Sequence, residues 1–103
     1  MQISTPGEQS RWMESSTTPD FWESYRALPL NVRDLARKTY QLWQANSSHG
    51  SLHWKPLAPG LWSVRVGLRY RALARVRGDT AYWFWIGTHN DFDKIIRRFA
   101  SGG

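Results

Sequence analysis

The 103-residue chain contains no cysteine. That absence excludes disulfides, thiolate metal sites and a cysteine nucleophile, and it fits a reducing compartment, so a cytoplasmic location is expected. No stretch approaches the roughly 18 apolar residues of a membrane helix, so no membrane partner is expected. The opening MQISTPGEQS has neither the basic start nor the apolar run of a signal peptide. Also missing are internal repeats, a Gly-rich phosphate loop, a helix with paired metal-ligand histidines, a G-x-S-x-G elbow and a close carboxylate pair on the sheet. The three histidines, His49, His53 and His89, are too scattered in sequence to suggest a metal site. Neither a metal nor another cofactor is expected. One further absence is local: from His53 to Arg77 there is no acidic side chain, while Lys55, Arg65, Arg69, Arg71, Arg75 and Arg77 all fall in that interval.

The charges that are present are lopsided. The formal net charge is +6, yet the first twenty residues hold only Arg11 against Glu8, Glu14 and Asp20, so the basic excess lies entirely beyond them. One-signed clustering of this kind is the footprint of a polyanion, most often nucleic acid, or of an acidic protein segment; a solubilising surface is the plainer alternative. Seven Trp, four Tyr and four Phe supply one modest core. A single domain over residues 11–99 is expected, with a frayed tail over 1–10 and a short tail over 100–103.

The first half reads as helical. RWMESS, residues 11–16, suits one short strand before Thr18-Pro19-Asp20 starts a helix, with Pro in the first turn and Asp20 three residues ahead of Glu23 in a capping-box arrangement. Leu-Pro-Leu breaks that helix near Leu28. Asn31 is placed to cap a second helix, whose stripe Val32, Leu35, Ala36, Thr39, Leu42 and Trp43 predicts one buried face with Arg33, Arg37, Lys38, Gln41 and Gln44 in water. From Leu52 the period changes to two. Strands are predicted over 52–57, 61–66, 70–77 and 80–87, joined by hairpin-length connections around Pro59-Gly60, Gly67 and Gly78-Asp79. Phe92, Ile95, Ile96 and Phe99 mark a short amphipathic C-terminal helix. The expected fold class is therefore α+β: two N-terminal helices packed on a largely antiparallel sheet of four to five strands, with a short helix at the end.

One hairpin decides where the arginines point. A two-residue loop after Val66 would place Arg71 on the same face as Trp62 and Val64. A three-residue loop pairs Val66 with Tyr70 and Arg65 with Arg71. One face then reads Trp62, Val64, Val66, Tyr70, Ala72, Ala74 and Val76, and the other Ser63, Arg65, Arg71, Leu73, Arg75 and Arg77. Like charges opposed across strands repel, so the Arg65–Arg71 pair suits an anion between the two forks, and a phosphate matches their geometry. Alternatively each Arg reaches water, Glu23 or Asp34. By strict alternation Trp83 and Trp85 share one face of the last strand and Tyr82, Phe84 and Ile86 the other, so that strand is expected to be central and buried on both sides.

Residues of these types support metal-free RNA cleavage, because RNA carries its own nucleophile in the 2′-hydroxyl. His89, Arg65, Arg71 and Lys55 are candidates for the chemistry, and His53, Arg69, Arg75 and Arg77 for RNA binding. The plainer alternative for His89 is a solvated strand-end or helix-capping residue.

PDFWESYRALPLNVRDLARKTYQLW, LHWKPL, LWSVRVGLRYRALARV and YWFWIGTHNDFDKII, in that order, resemble the RelE/ParE superfamily of bacterial toxin–antitoxin toxins. The most specific pieces are the aromatic-x-V-R-V-G…Y-R-A-L hairpin and the strand ending I-G-x-H-x-D-aromatic-D. The resemblance implies a short first strand, two helices and an antiparallel sheet. It also implies a cognate antitoxin and a toxin–antitoxin hetero-oligomer. RelE-type relatives cleave mRNA on the ribosome without metal; ParE-type relatives poison DNA gyrase without catalysis. By position Arg71 matches the family's phosphate-binding Arg, Arg65 a basic strand position and His89 an acid/base position, while Lys55 matches loosely. Phe92 stands where some members place a further aromatic, and it has no hydroxyl to donate. The expected function is ribosome-dependent mRNA cleavage that inhibits translation, with gyrase poisoning or a non-toxic binding module as alternatives.

Overall fold

The computed structural model describes residues 13–102. The tail expected over 1–10, and the first two residues of the strand expected over 11–16, lie outside them. The strand itself is β1, Glu14–Thr17, and two helices follow: α1, Pro19–Arg26, and α2, Leu30–Ala45. A single 3-10 turn, Gly50–Leu52, leads into β2, Lys55–Ala58, β3, Leu61–Val66, β4, Tyr70–Arg77, and β5, Thr80–Thr88. Helix α3, His89–Gly102, ends the chain's ordered elements. The α+β architecture matches the expectation.

The helix starts differ in detail from those read in the sequence. Thr18, not Asp20, caps α1: its backbone is extended and its hydroxyl accepts from the Phe21 N–H at 3.2 Å. Pro19 dictates this, since a residue without an N–H fits the first turn, where no intrahelical donor is required. Helix α2 starts at Leu30 with Pro29 at the cap position and no side-chain cap, so Asn31 lies inside it. Arg33 is not a water-facing residue either. Its Nε donates to the Leu28 carbonyl at 3.2 Å and its Nη2 to that of Arg26 at 2.5 Å, satisfying acceptors exposed where α1 ends.

The five strands form one sheet in the order β1-β5-β4-β3-β2. Strand β1 pairs with β5 in parallel at one edge, and every other neighbour is antiparallel. In the β3–β4 hairpin Val66 faces Tyr70 and Arg65 faces Arg71, the register of the three-residue loop. Gly67 opens that loop at φ +64°, and a Cβ there would stand 2.5 Å from Leu35 Cδ2 of α2. Backbone conformation and helix contact both require glycine at this position.

Helices α1 and α2 cover one sheet face, where Leu28, Val32, Ala36 and Trp43 meet Val64, Val66, Ala72, Ala74, Ala81, Trp83 and Ile86. Trp43 and Trp83 meet edge to face with centroids 5.2 Å apart, a geometry that adds about 0.5–1.5 kcal/mol to simple area burial. Helix α3 covers the other face, packing Phe92, Ile95 and Ile96 on Leu61, Leu73, Phe84 and Trp85.

Strand β5 corrects the expectation of strict alternation. Ala74 pairs with Trp83 but Leu73 with Trp85, so Phe84 is the extra residue of a β-bulge. The alternation flips there: Trp83 and Ile86 both join the core under α1 and α2, while Phe84 and Trp85 both pack toward α3. Beyond the bulge, Gly87 leaves room for the Trp85 indole, which a Cβ would approach to 2.5 Å. Strand β2 is also shorter than expected. Leu52, expected to begin the strand, instead ends a 3-10 turn that His49 caps through its Nδ1, which accepts from the Ser51 N–H at 3.2 Å, and its side chain dips into the core.

Gly67→Ala is expected to lower unfolding free energy by about 1–3 kcal/mol, through the positive φ and the collision with Leu35. Denaturant unfolding checks this, and shortening Leu35 to Ala in the same chain should recover only the part due to the collision.

Candidate functional site

Sheet register and one strained residue assemble the site. Arg65 and Arg71 are direct partners across β3 and β4. Arg65 donates from Nε to the Gly67 carbonyl at 3.1 Å, and its Nη1 lies 3.3 Å from His53 Nε2. A guanidinium only donates, so His53 Nε2 is the acceptor and the ring is the neutral Nδ1–H tautomer. His53 follows the 3-10 turn at φ 48°, ψ 46°, and it alone among the described non-glycine residues has a positive φ. Holding a side chain there costs about 1–2 kcal/mol, and strain of this kind is characteristic of functional positions.

Electrostatics agree with that tautomer. Desolvation of the half-buried ring lowers the His53 pKa below its ordinary 6.5, and the charges of Arg65, Lys55 and Arg71 push it the same way. Those four side chains therefore share one neighbourhood. Lys55 reaches it from β2, where it is exposed and pairs with Ser63.

Arg71 lies on the ring of Phe92, its Cζ 5.3 Å from the centroid, and its buried Nε has no hydrogen-bond partner. Among the described residues no carboxylate pairs with Arg65 or Arg71; Asp34 is taken by Arg37. His89 packs against the same phenyl ring, centroids 5.8 Å apart. It opens α3, where Thr88 Oγ1 accepts from the Asp91 N–H at 3.1 Å, and its own N–H donates to the Arg69 carbonyl at 2.8 Å. That bond ties the end of β5 to the tip of the β3–β4 hairpin. His89 Nδ1 lies 3.4 Å from Asp93 Oδ2, which leaves Nε2 directed away from the pair. Among the described residues no group of three His, Cys, Asp or Glu side chains is placed to hold a metal ion.

A family model described as a ParE-like toxin domain matches residues 30–94, more than half of the chain. The chain belongs to the ParE-like toxin family. Among solved structures, the domain is similar to the RelB–RelE antitoxin–toxin complex from Methanococcus jannaschii, with 19% identity, a TM-score of 0.64 and coverage of 78% of this chain and 96% of that one. It is also similar to the YoeB/ParE toxin from Agrobacterium tumefaciens, at 19% identity, TM-score 0.59 and coverage of 75% and 99%. The RelBE2 toxin–antitoxin complex from Mycobacterium tuberculosis gives 18%, 0.60, 75% and 91%. At such identities these likenesses concern the fold. No curated protein sequence matches at a significant level.

This ParE-like domain gathers some of the residues singled out in the sequence and separates others. His53, Lys55, Arg65 and Arg71 are together, and His89 joins them through its contact with Phe92. Arg69 lies exposed in the hairpin loop and contributes its carbonyl. Arg75 and Arg77 are not part of the cluster, since four and six residues along β4 place them about 13 and 20 Å from Arg71. Arg75 lies over the rings of Phe84 at 5.3 Å and Phe99 at 5.8 Å. The expected face of four arginines is therefore two arginines at one end and two at the other, with α3 laid across the sheet between them. Sequence reasoning missed Asp93; its i+4 spacing from His89 within a predicted helix was the available signal.

An NMR titration of the histidine rings is expected to place the His53 pKa below 6.5, and Arg65→Ala should move it upward by removing a cation and its hydrogen bond.

Proposed function

We propose that this toxin cleaves mRNA on the ribosome without a metal ion, using the cluster at the head of the β3–β4 hairpin. The observation that carries the reading is the opposed Arg65–Arg71 pair, with no carboxylate between the two guanidinium groups and a buried, unpartnered Nε on Arg71. A phosphodiester that accepts from the two guanidinium groups removes the like-charge cost of about 0.2–1 kcal/mol that such a cross-strand pair carries.

In the reaction the 2′-oxygen attacks phosphorus, the bond from phosphorus to the 5′-oxygen breaks, and a cyclic phosphate forms. Arg65 turns from His53 to the phosphate and thereby frees His53 Nε2 to take the 2′-hydroxyl proton. Arg71, held by Phe92, stabilises the extra negative charge of the phosphorane together with Lys55. His89, oriented by Asp93, gives a proton to the departing 5′-oxygen. Phe92 has no proton to offer and acts as the platform that spaces Arg71 from His89.

The complexes among its structural neighbours contain antitoxins. By the same reading this chain has a cognate antitoxin, with acidic side chains that cover Arg65 and Arg71, in a toxin–antitoxin hetero-oligomer. The ParE-like description of its family also supports a second reading, in which the basic cluster grips DNA gyrase and no bond is cleaved.

Arg71→Ala, His53→Ala and His89→Ala should each reduce cleavage of ribosome-bound mRNA by about 10²- to 10⁴-fold, measured by mapping mRNA ends, while circular dichroism stays unchanged. Because His53 must be neutral to accept a proton, activity should persist below pH 6.5 and fall as pH drops through the lowered pKa. Undiminished cleavage by these variants would sink the assignment. Inhibition of purified gyrase in a supercoiling assay would favour the second reading.

A further inference from the structure

The loop that presents His53 also borders an open cleft. Ser47, Ser48, His49, Gly50, His53, Trp54 and Lys55 line a space of about 320 Å³, and no arginine is among them. That volume lies at the small end of the range of about 300–1,000 Å³ found for ligand sites. Two of the walls, His53 and Lys55, belong to the cluster itself, so a group in this cleft would sit beside a phosphate held by Arg65.

The cleft is built before any ligand arrives. Ser48 N–H donates to Asn46 Oδ1 at 3.1 Å, His49 N–H to the Asn46 carbonyl at 3.0 Å, Leu52 N–H to that of His49 at 3.1 Å and His53 N–H to that of Gly50 at 3.3 Å. Leu52, only 2% exposed, anchors the loop in the core. Trp54 is fixed by Trp43, edge to face at 5.4 Å, Trp62, tilted at 4.8 Å, and Trp83, tilted at 5.6 Å, yet it remains half-buried and lines the cleft. His49 Nδ1 is engaged by the Ser51 N–H and lies 2.9 Å from Ser51 Oγ, so the neutral ring carries its proton on Nε2. The walls therefore offer an indole, an imidazole N–H, a hydroxyl and an ammonium, with no carboxylate among them. A flat ring with hydrogen-bond acceptors along its edge fits that set, and stacking with edge hydrogen bonds is how proteins read single-stranded bases.

We propose that this cleft is a subsite for the nucleobase flanking the scissile phosphate, one that presents acceptors to the loop. The inference rests on the RNA-cleaving reading and deepens it: the arginines hold the phosphate, and the loop over residues 47–55 holds the adjacent base.

Gly50 makes the subsite testable without touching the cluster. A Cβ there meets nothing within 4 Å, so Gly50→Leu adds a bulky side chain to the wall of the cleft without displacing its neighbours. The probe is an uncleavable 2′-O-methyl hexanucleotide, used intact and with an abasic site at each position in turn. Binding to the full chain is followed through the Trp54 indole N–H resonance and by titration. One abasic position should weaken binding by about 5- to 150-fold, the range for losing a single stacked base. Gly50→Leu should cause a similar loss and make that position indifferent to the abasic change. Ser48→Ala, which keeps the backbone bond to Asn46, should give a smaller loss of about 2- to 10-fold and serves if the leucine variant does not fold. If every abasic probe binds like the intact one and both variants bind normally while Arg71→Ala does not, the subsite is refuted and the phosphate reading stands. If the parent chain binds no hexanucleotide and cleaves no mRNA, both fall together.

Discussion

The three-residue turn between β3 and β4 is the constraint on which the rest of this domain depends. It places Val66 opposite Tyr70, and from that single pairing every side chain of both strands is assigned to a face. The turn is held from two directions. Leu35 of α2 presses on Gly67, and the Arg69 carbonyl accepts the N–H of His89. Helix packing on one face and the start of α3 on the other thus meet at the turn that opposes Arg65 to Arg71. A slip of one residue would put a guanidinium in the core beneath α1 and α2, where no partner could compensate the buried charge.

Aromatic packing then divides the basic face. The bulge at Phe84 sends two consecutive large rings, Phe84 and Trp85, toward α3, and this gives the C-terminal helix an apolar floor. Phe92 descends onto that floor near the start of the helix, while Phe99, near its end, stays exposed. Each carries an arginine on its ring: Arg71 on Phe92, Arg75 on Phe99. Cation–π contact of this kind contributes about 0.5–1 kcal/mol at exposed sites and more when desolvated, but its larger effect here is positional. Arg71 is immobilised beside Arg65 and His53, while Arg75 is held away from them. The same aromatic residues that complete the fold decide which basic groups share a site.

Periodicity made β3, β4 and β5 legible almost to the residue, because alternation with glycine-marked turns has few competing interpretations. The Arg65–Arg71 pair followed from the same reasoning. Where local rules failed, a specific competing interaction prevailed. Pro19 moved the first helix cap to Thr18. Leu52, drawn into the core, and His49, capping through its ring, replaced the expected start of β2 with a 3-10 turn. The bulge in β5 has no signal in WFWI, since four consecutive apolar residues satisfy either alternation equally well. His53 was noticed as a basic residue of the right type, but its left-handed backbone and its contact with Arg65 arise from that unforeseen turn.

By itself the sequence determined the fold class, the hairpin register and the family resemblance, since these follow from patterns of a few neighbouring residues and from turn chemistry. It also determined which residue types were available for chemistry: two arginines without a local carboxylate and a histidine after the last strand. Only the tertiary structure decided which of the basic residues lie together. Residues 53, 65, 71 and 89 are brought to one place by a sheet, a strained turn and a helix start, and Arg75 and Arg77 are carried away by the length of a strand. Proximity across such separations is a property of packing, and side-chain burial against Phe92, Trp54 and Leu52 is the force that sets it.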